Sequence, residues 1–270
     1  MPTRPVAMHT TVFLPAAGRD ELPCLLALPA ERAHPVPLVI SVHGFTRQPL
    51  EHAAAMAPPV LARGWALLVP VFDERHHRRY QQLLHPRRGT RSDLALIALV
   101  ERLAPVHGLA RTGWGLFGFS AGAQFAHRFA LRHPDRIATL GVGAAGWYTW
   151  PDAARVYPEG WGGLDERLGG ADPAAFLRLP LRLWVGEQDD GPGRHFRESA
   201  DLSAWQGGSR LARAENWAQA LAAAGRAQAP VVTRIPRAGH SFTACDRRGR
   251  LAEDVARFFG ETLSQTNVTV

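Results

Sequence analysis

Three side chains are placed for nucleophilic chemistry, in the chain order Ser120, Asp189, His240. A serine hydroxyl is a weak nucleophile at neutral pH and needs a neighbouring base. Ser120 sits in Gly118-Phe119-Ser120-Ala121-Gly122, between an apolar run that reads as a strand and an alanine-rich stretch that reads as a helix. In that context G-x-S-x-G marks a tight strand-to-helix turn that lifts the hydroxyl clear of a sheet. The two glycines remove Cβ atoms that such a turn would bring into collision, and the helix N-terminus behind the serine favours developing negative charge.

The base is expected at His240, in Arg237-Ala238-Gly239-His240-Ser241, because this segment follows the last strand-like run at 231–235. The chain has 12 histidines, and those such as His76, His77 and His85 read as surface residues. The acid should follow the preceding strand-like run, in Leu183-Trp184-Val185-Gly186-Glu187-Gln188-Asp189-Asp190. Asp189 is the expected orienting carboxylate, with Asp190 its alternative and Glu187 a more distant one. Such a carboxylate fixes the imidazole tautomer and stabilises the imidazolium that forms. Two backbone N–H groups are expected to bind the developing oxyanion. One is Ala121, next to the nucleophile, and the other is Phe45, in Ser41-Val42-His43-Gly44-Phe45. His43 reads as a residue shaping this loop, or else as a second base.

The elements that must hold these groups follow from hydrophobic periodicity. Strands are expected at 9–14, 24–28, 37–42, 65–72, 114–119, 137–142, 181–185 and 231–235, with a turn at 17–20 joining the first two. Helices are expected at 50–63, bent at Pro58-Pro59, and at 92–103, 121–132, 210–224 and 251–262, with a frayed tail after them. Strand and helix in alternation predict a mainly parallel sheet covered on both faces, an α/β fold. The first two strands should form an antiparallel edge. One domain over 1–270 is expected, with the Gly-, Pro- and Trp-rich stretch 147–179 inserted as a lid.

With these motifs in place the chain resembles the α/β-hydrolase superfamily over nearly its whole length. The resemblance rests on His43-Gly44-Phe45, Gly118-Phe119-Ser120-Ala121-Gly122, Gly186-Glu187-Gln188-Asp189 and Gly239-His240-Ser241. The stretch 118–136, GFSAGAQFAHRFALRHPDR, is similar to esterases related to polyhydroxybutyrate depolymerases and feruloyl esterases. This resemblance implies cleavage of a carboxylic ester through an acyl-enzyme, with no cofactor and no metal. A secretion signal and a disulfide set, as in secreted depolymerases, are not evident in it. The same triad would serve a peptidase, a thioesterase, an acyltransferase or a perhydrolase, and the fold could also persist in a non-catalytic binding protein.

Two loops are expected to border the site. One carries His76, His77, Arg78, Arg79 and Tyr80, then Arg87, Arg88 and Arg91. Its guanidinium groups could bind a carboxylate or phosphate of the substrate, or form a solvated loop. The other carries Trp147, Tyr148 and Trp150, which could wall an acyl pocket or pin the insertion to the core.

Composition excludes other chemistries. All 31 basic residues are arginine, which removes Schiff-base lysines, Ser–Lys pairs and the P-loop lysine together. The net charge of +7 accompanies abundant Ala, Gly and Pro, a pattern of coding bias more than of a nucleic-acid surface. Cys24 and Cys245 have neither metal-ligand spacing nor disulfide-scaffold density. No apolar core of a signal peptide stands at 1–11, and no run approaches a spanning helix. A soluble cytoplasmic protein acting on a small-molecule ester, with no nucleic-acid or membrane partner, is expected.

Overall fold

The computed structural model describes residues 11–16, 21–84, 91–191 and 196–264. The expected turn at 17–20, His85, and Arg87 and Arg88 of the basic loop lie outside the described residues, as does nearly all of the expected tail.

Eight strands form one sheet: β1 (Thr11–Leu14), β2 (Cys24–Ala27), β3 (Leu38–Val42), β4 (Ala66–Pro70), β5 (Trp114–Phe119), β6 (Ile137–Gly143), β7 (Leu181–Gly186) and β8 (Val231–Ile235). Their order is β1-β2-β4-β3-β5-β6-β7-β8. β1 and β2 pair antiparallel, as do β2 and β4, and every other pairing is parallel. The expected antiparallel edge is therefore present. The central strands β3, β4 and β5 are buried at every residue, which is why they read as unbroken apolar runs and not as alternating ones.

Among the described residues nine α-helices accompany the sheet: α1 (Pro49–Leu61), α2 (Ser92–His107), α3 (Ala121–Arg132), α4 (Leu164–Leu168), α5 (Pro173–Arg178), α6 (Ala200–Gln206), α7 (Arg210–Ala223), α8 (Phe242–Gly249) and α9 (Leu251–Leu263). The period of two along β5 shows that they cover both faces. A Cβ on Gly115 would meet Phe259 of α9, whereas one on Gly118, of opposite parity, would meet Gly122 of α3. Helix α2 outruns its expected end, continuing through Pro105 to Gly108, whose φ of +67° closes it. Helices α6 and α8 were not expected. Each starts at a serine N-cap, Ser199 and Ser241, whose hydroxyl accepts a backbone N–H three residues on.

The chain leaves β3 for β4 on one side and returns to β5 on the other, so β3 and β5 are neighbours with divergent connections. Ligands in open α/β sheets bind beyond the carboxyl ends of strands at such a switch point. Val42 at the end of β3 stands beside Gly118 near the end of β5, so the His43-Gly44-Phe45 loop and Ser120 emerge together.

Candidate active site

Ser120 caps α3 with φ 58° and ψ −114°. Positive φ is uncommon in a non-glycine residue and costs of order 1–3 kcal/mol, which the surroundings must hold in place. Its N–H donates to Gly143 O at 2.7 Å, tying the turn to β6. The flanking glycines are required by backbone contact: a Cβ on Gly118 would lie 2.1 Å from Gly122 O, and one on Gly122 would lie 2.0 Å from Val42 O.

The loops after β7 and β8 are laced together. Glu187 N–H donates to Ile235 O at 2.9 Å, and Gln188 N–H donates to Ala238 O at 2.8 Å. This lacing brings His240 Nδ1 to 2.7 Å from Asp189 Oδ2, and His240 Nε2 to 2.9 Å from Ser120 Oγ. An ionised carboxylate only accepts, so Nδ1 carries the proton and donates. In the neutral ring Nε2 is then the acceptor, and the Ser120 hydroxyl donates to it. Asp189 is 3% exposed, whereas Asp190 and Glu187 face solvent. Of the three acids in this loop the structure brings Asp189 to His240. The Phe119 ring stacks on His240, 5.5 Å between centroids.

A cavity of about 300 Å³ opens beside Ser120 and His240, lined also by Gly44, Phe45, Glu51, His52, Phe119 and Phe242, together with Thr46, Gln48 and Ser241. Phe45 and Ser120 therefore line the same cavity. A Cβ on Gly44 would stand 3.8 Å from Ser120 Oγ, so the loop backbone passes close to it. Ala121, as the first residue of α3, has an N–H with no intrahelical acceptor. Glu51, His52, Phe242 and their neighbours were missed from the sequence. Nothing in a helical pattern at 50–63 marks which residue turns to a pocket, although Phe242 could have been suspected from its place two residues after His240.

His43, Arg78, Arg79, Trp147 and Tyr148 lie outside the cavity lining. His43 is fully buried, and its ring is occupied by the backbone. Its Nε2 accepts from Phe72 N–H at 3.1 Å and its Nδ1 lies 2.9 Å from Gly44 O, while Tyr80 OH donates to His43 O at 2.6 Å. Burial lowers its pKa to about 4, which leaves it neutral. His43 thus shapes the loop. Trp147 lies between the guanidinium groups of Arg128 and Arg197, at 4.1 and 4.6 Å from the ring centroid. Tyr148 is buried against Trp217, 4.5 Å between centroids, and its backbone exchanges hydrogen bonds with the Gln206 side chain. Both aromatics pin the segment after β6 to the core, and neither lines the cavity. Arg78 and Arg79 are exposed and also outside its lining. His77, read as a surface residue, is buried edge-on against Phe72.

Among the described residues no helix is long and apolar enough to cross a membrane, and no cluster of three His, Cys, Asp or Glu side chains could hold a metal ion.

No protein-family model matches the chain. Solved structures do match it. Poly(aspartic acid) hydrolase-1 from Sphingomonas sp. KT-1 is similar with a TM-score of 0.76 and 22% identity, over 92% of this chain and 98% of that one. The poly(3-hydroxybutyrate) depolymerase LpqC from Bordetella parapertussis gives 0.72 and 19%, over 93% of each chain. An S-formylglutathione hydrolase from Agrobacterium tumefaciens gives 0.59 and 15%, over 94% and 95%. The chain has the α/β-hydrolase fold. The likeness to a depolymerase expected from residues 118–136 is found among these structures.

Proposed function

We propose that the protein is a serine hydrolase that cleaves a small or medium carboxylic ester. The observation that carries this reading is the continuous hydrogen-bonded path from Ser120 Oγ through His240 to Asp189. Fold neighbours named as a poly(aspartic acid) hydrolase, a poly(3-hydroxybutyrate) depolymerase and an S-formylglutathione hydrolase support a hydrolase in general.

In this mechanism Ser120 Oγ attacks the ester carbonyl carbon while its proton passes to His240 Nε2. The carbonyl π electrons move to oxygen, and the N–H groups of Phe45 and Ala121 donate to that oxyanion. Two such donors aimed at developing charge are worth several kcal/mol, of order 3 for one of them. Asp189 stabilises the imidazolium and holds the ring. The tetrahedral adduct collapses, the C–O bond to the alcohol breaks, and the leaving oxygen takes the proton from Nε2. Water, deprotonated by His240, then attacks the acyl-enzyme in the same geometry, and Ser120 leaves with the proton.

The cavity is small and carries the rings of Phe45, Phe119 and Phe242, which suits a short acyl or phenyl group on a neutral ester. Thioesters or an alcohol acceptor would use the same steps with a different leaving group or nucleophile. Residues 147–179 are read as a cap belonging to a single domain, and the cytoplasm as the location, on two buried free thiols.

The test is labelling by a fluorophosphonate probe, with wild type beside Ser120→Ala and His240→Ala. Wild type should label and hydrolyse p-nitrophenyl acetate. Both variants should fold and lose at least about a thousandfold in kcat/KM. A folded wild type that neither labels nor hydrolyses any ester or thioester tried would leave a non-catalytic binding protein as the reading.

A further inference from the structure

Asp189 is held on both carboxylate oxygens. Oδ2 faces His240, and Oδ1 accepts from Arg210 Nη1 at 3.1 Å. Both side chains of this second contact are buried, at 1% and 3% exposure. The backbone is engaged as well, since Leu211 N–H donates to Asp189 O at 3.2 Å. The first turn of α7 therefore grips the acid by its main chain and its carboxylate together.

Helix propensity does not account for this arginine. Arg210 is the first residue of α7, directly after the N-cap Ser209, where the helix dipole disfavours a cation. Burying a guanidinium there is costly unless a carboxylate and further hydrogen bonds compensate it. Asp189 is that carboxylate, and the Phe196 ring adds a face 5.2 Å from the guanidinium carbon.

We propose that Arg210 is a positioning residue of the triad, fixing the carboxylate of Asp189 toward His240 and tuning by its charge the protonation of the Asp189–His240 pair. This rests on the ester-hydrolase reading above. A positive charge beside a base opposes protonation of that base, an influence that a pH profile reads directly.

Of the charged groups around this pair, Arg210 is the cation in direct contact with the carboxylate. The Tyr148 phenol is raised chiefly by burial, and burial pushes the Cys245 thiol up to about 12, so both are neutral. His52, across the cavity, is lowered by burial to about 3 and is neutral too. Arg213, on the next turn of α7, is directed to the carbonyls of Gly207, Gly146 and Arg197. Asp246 of α8 accepts from Ala252 N–H, and Asp190 and Glu187 face solvent.

The experiment compares the pH dependence of kcat/KM for p-nitrophenyl acetate in wild type, Arg210→Met and Arg210→Lys, with active sites counted by the fluorophosphonate. Arg210→Met should move the acid limb upward by about one pH unit and lower the plateau by about tenfold or more. Arg210→Lys, which keeps the charge and loses the planar fork, should keep the wild-type acid limb with a plateau lowered severalfold. An Arg210→Met enzyme with an unmoved limb and a plateau within about twofold of wild type overturns the proposal. Should that variant not fold, Arg210→Lys decides: a displaced limb or an undiminished plateau overturns it. Failure of the hydrolase reading looks different, because wild type itself would neither turn over nor label. Arg210 is then read by stability, Arg210→Met lowering Tm more in the wild-type background than in Asp189→Asn. Equal losses in the two backgrounds overturn the coupling.

Discussion

The imidazole of His52 lies flat on the ring of Phe242, 4.0 Å between centroids and 8° from parallel, on the wall of the cavity beside Ser120. Its Nδ1 is 2.8 Å from Ser41 Oγ, and burial lowers its pKa to about 3. His43, behind the same wall, is lowered to about 4 by the same cause. Both rings are neutral in the folded protein but take up a proton near pH 6.5 when unfolded. Between those values the unfolded chain binds more protons, so stability rises with pH. The contribution is complete above about pH 6.5 and is lost as pH falls toward 4 and then 3. Urea unfolding should show a fall of a few kcal/mol from pH 7 to pH 5. Equal unfolding free energies at the two pH values would refute the buried neutral assignment.

Gly118 and Gly122 should tolerate no side chain. Alanine at either position places a methyl carbon about 2 Å from a main-chain atom, and backbone cannot step aside as a flexible side chain can. Each substitution should cost more than about 3 kcal/mol, or roughly 10 °C in Tm. A soluble Gly122→Ala protein that melts with wild type would contradict the close approach of the elbow to Val42.

The two adjacent acids after β7 should separate sharply. Asp189→Asn removes the acceptor of the His240 Nδ1 proton and should lower kcat by about a thousandfold or more. Asp190→Asn alters an exposed side chain and should stay within about twofold. Comparable losses in both would mean that the loop rearranges when substrate binds.

Charge selectivity should come from Glu51. It is the acid in the cavity lining, and it repels an anionic substrate through a partly solvated path. Glu51→Gln should raise kcat/KM for a negatively charged ester by roughly two- to fivefold relative to a neutral one. Replacing Arg78 and Arg79 should leave that ratio unchanged, because neither lines the cavity. A ratio that follows the arginines and ignores Glu51 would return the basic loop to the site.

What could be read in the sequence was what backbone geometry dictates. Gly118 and Gly122 are fixed by excluded volume, and the buried parallel strands by their apolar runs, so the elbow and the sheet were visible without coordinates. Asp189 and His240 were legible through strand order, since each stands on a loop at a strand's carboxyl end. The part of the cavity lining that α1 contributes was not legible. Glu51 and His52 lie on α1 beside residues that face the core, and a period of 3.6 separates buried from exposed without saying what the border residues meet. Arg210 carried no signal, because its partner lies 21 residues away and only the fold joins them. For Trp147, Tyr148 and the basic loop the sequence left two readings open for a related reason: aromatic and cationic residues suit a binding wall and a packed support equally well.

The crowded elbow has a consequence for how the proposed hydrolase could change its substrates. Where three main chains meet at Gly118, Gly122 and Val42 there is no room for variation. The residues that line the cavity, among them Phe45, Glu51 and Phe242, come from other segments of the chain. Selectivity is therefore evolvable apart from reactivity: a laboratory library built on α1 and the loops around it could explore new esters while the attacking group stays untouched.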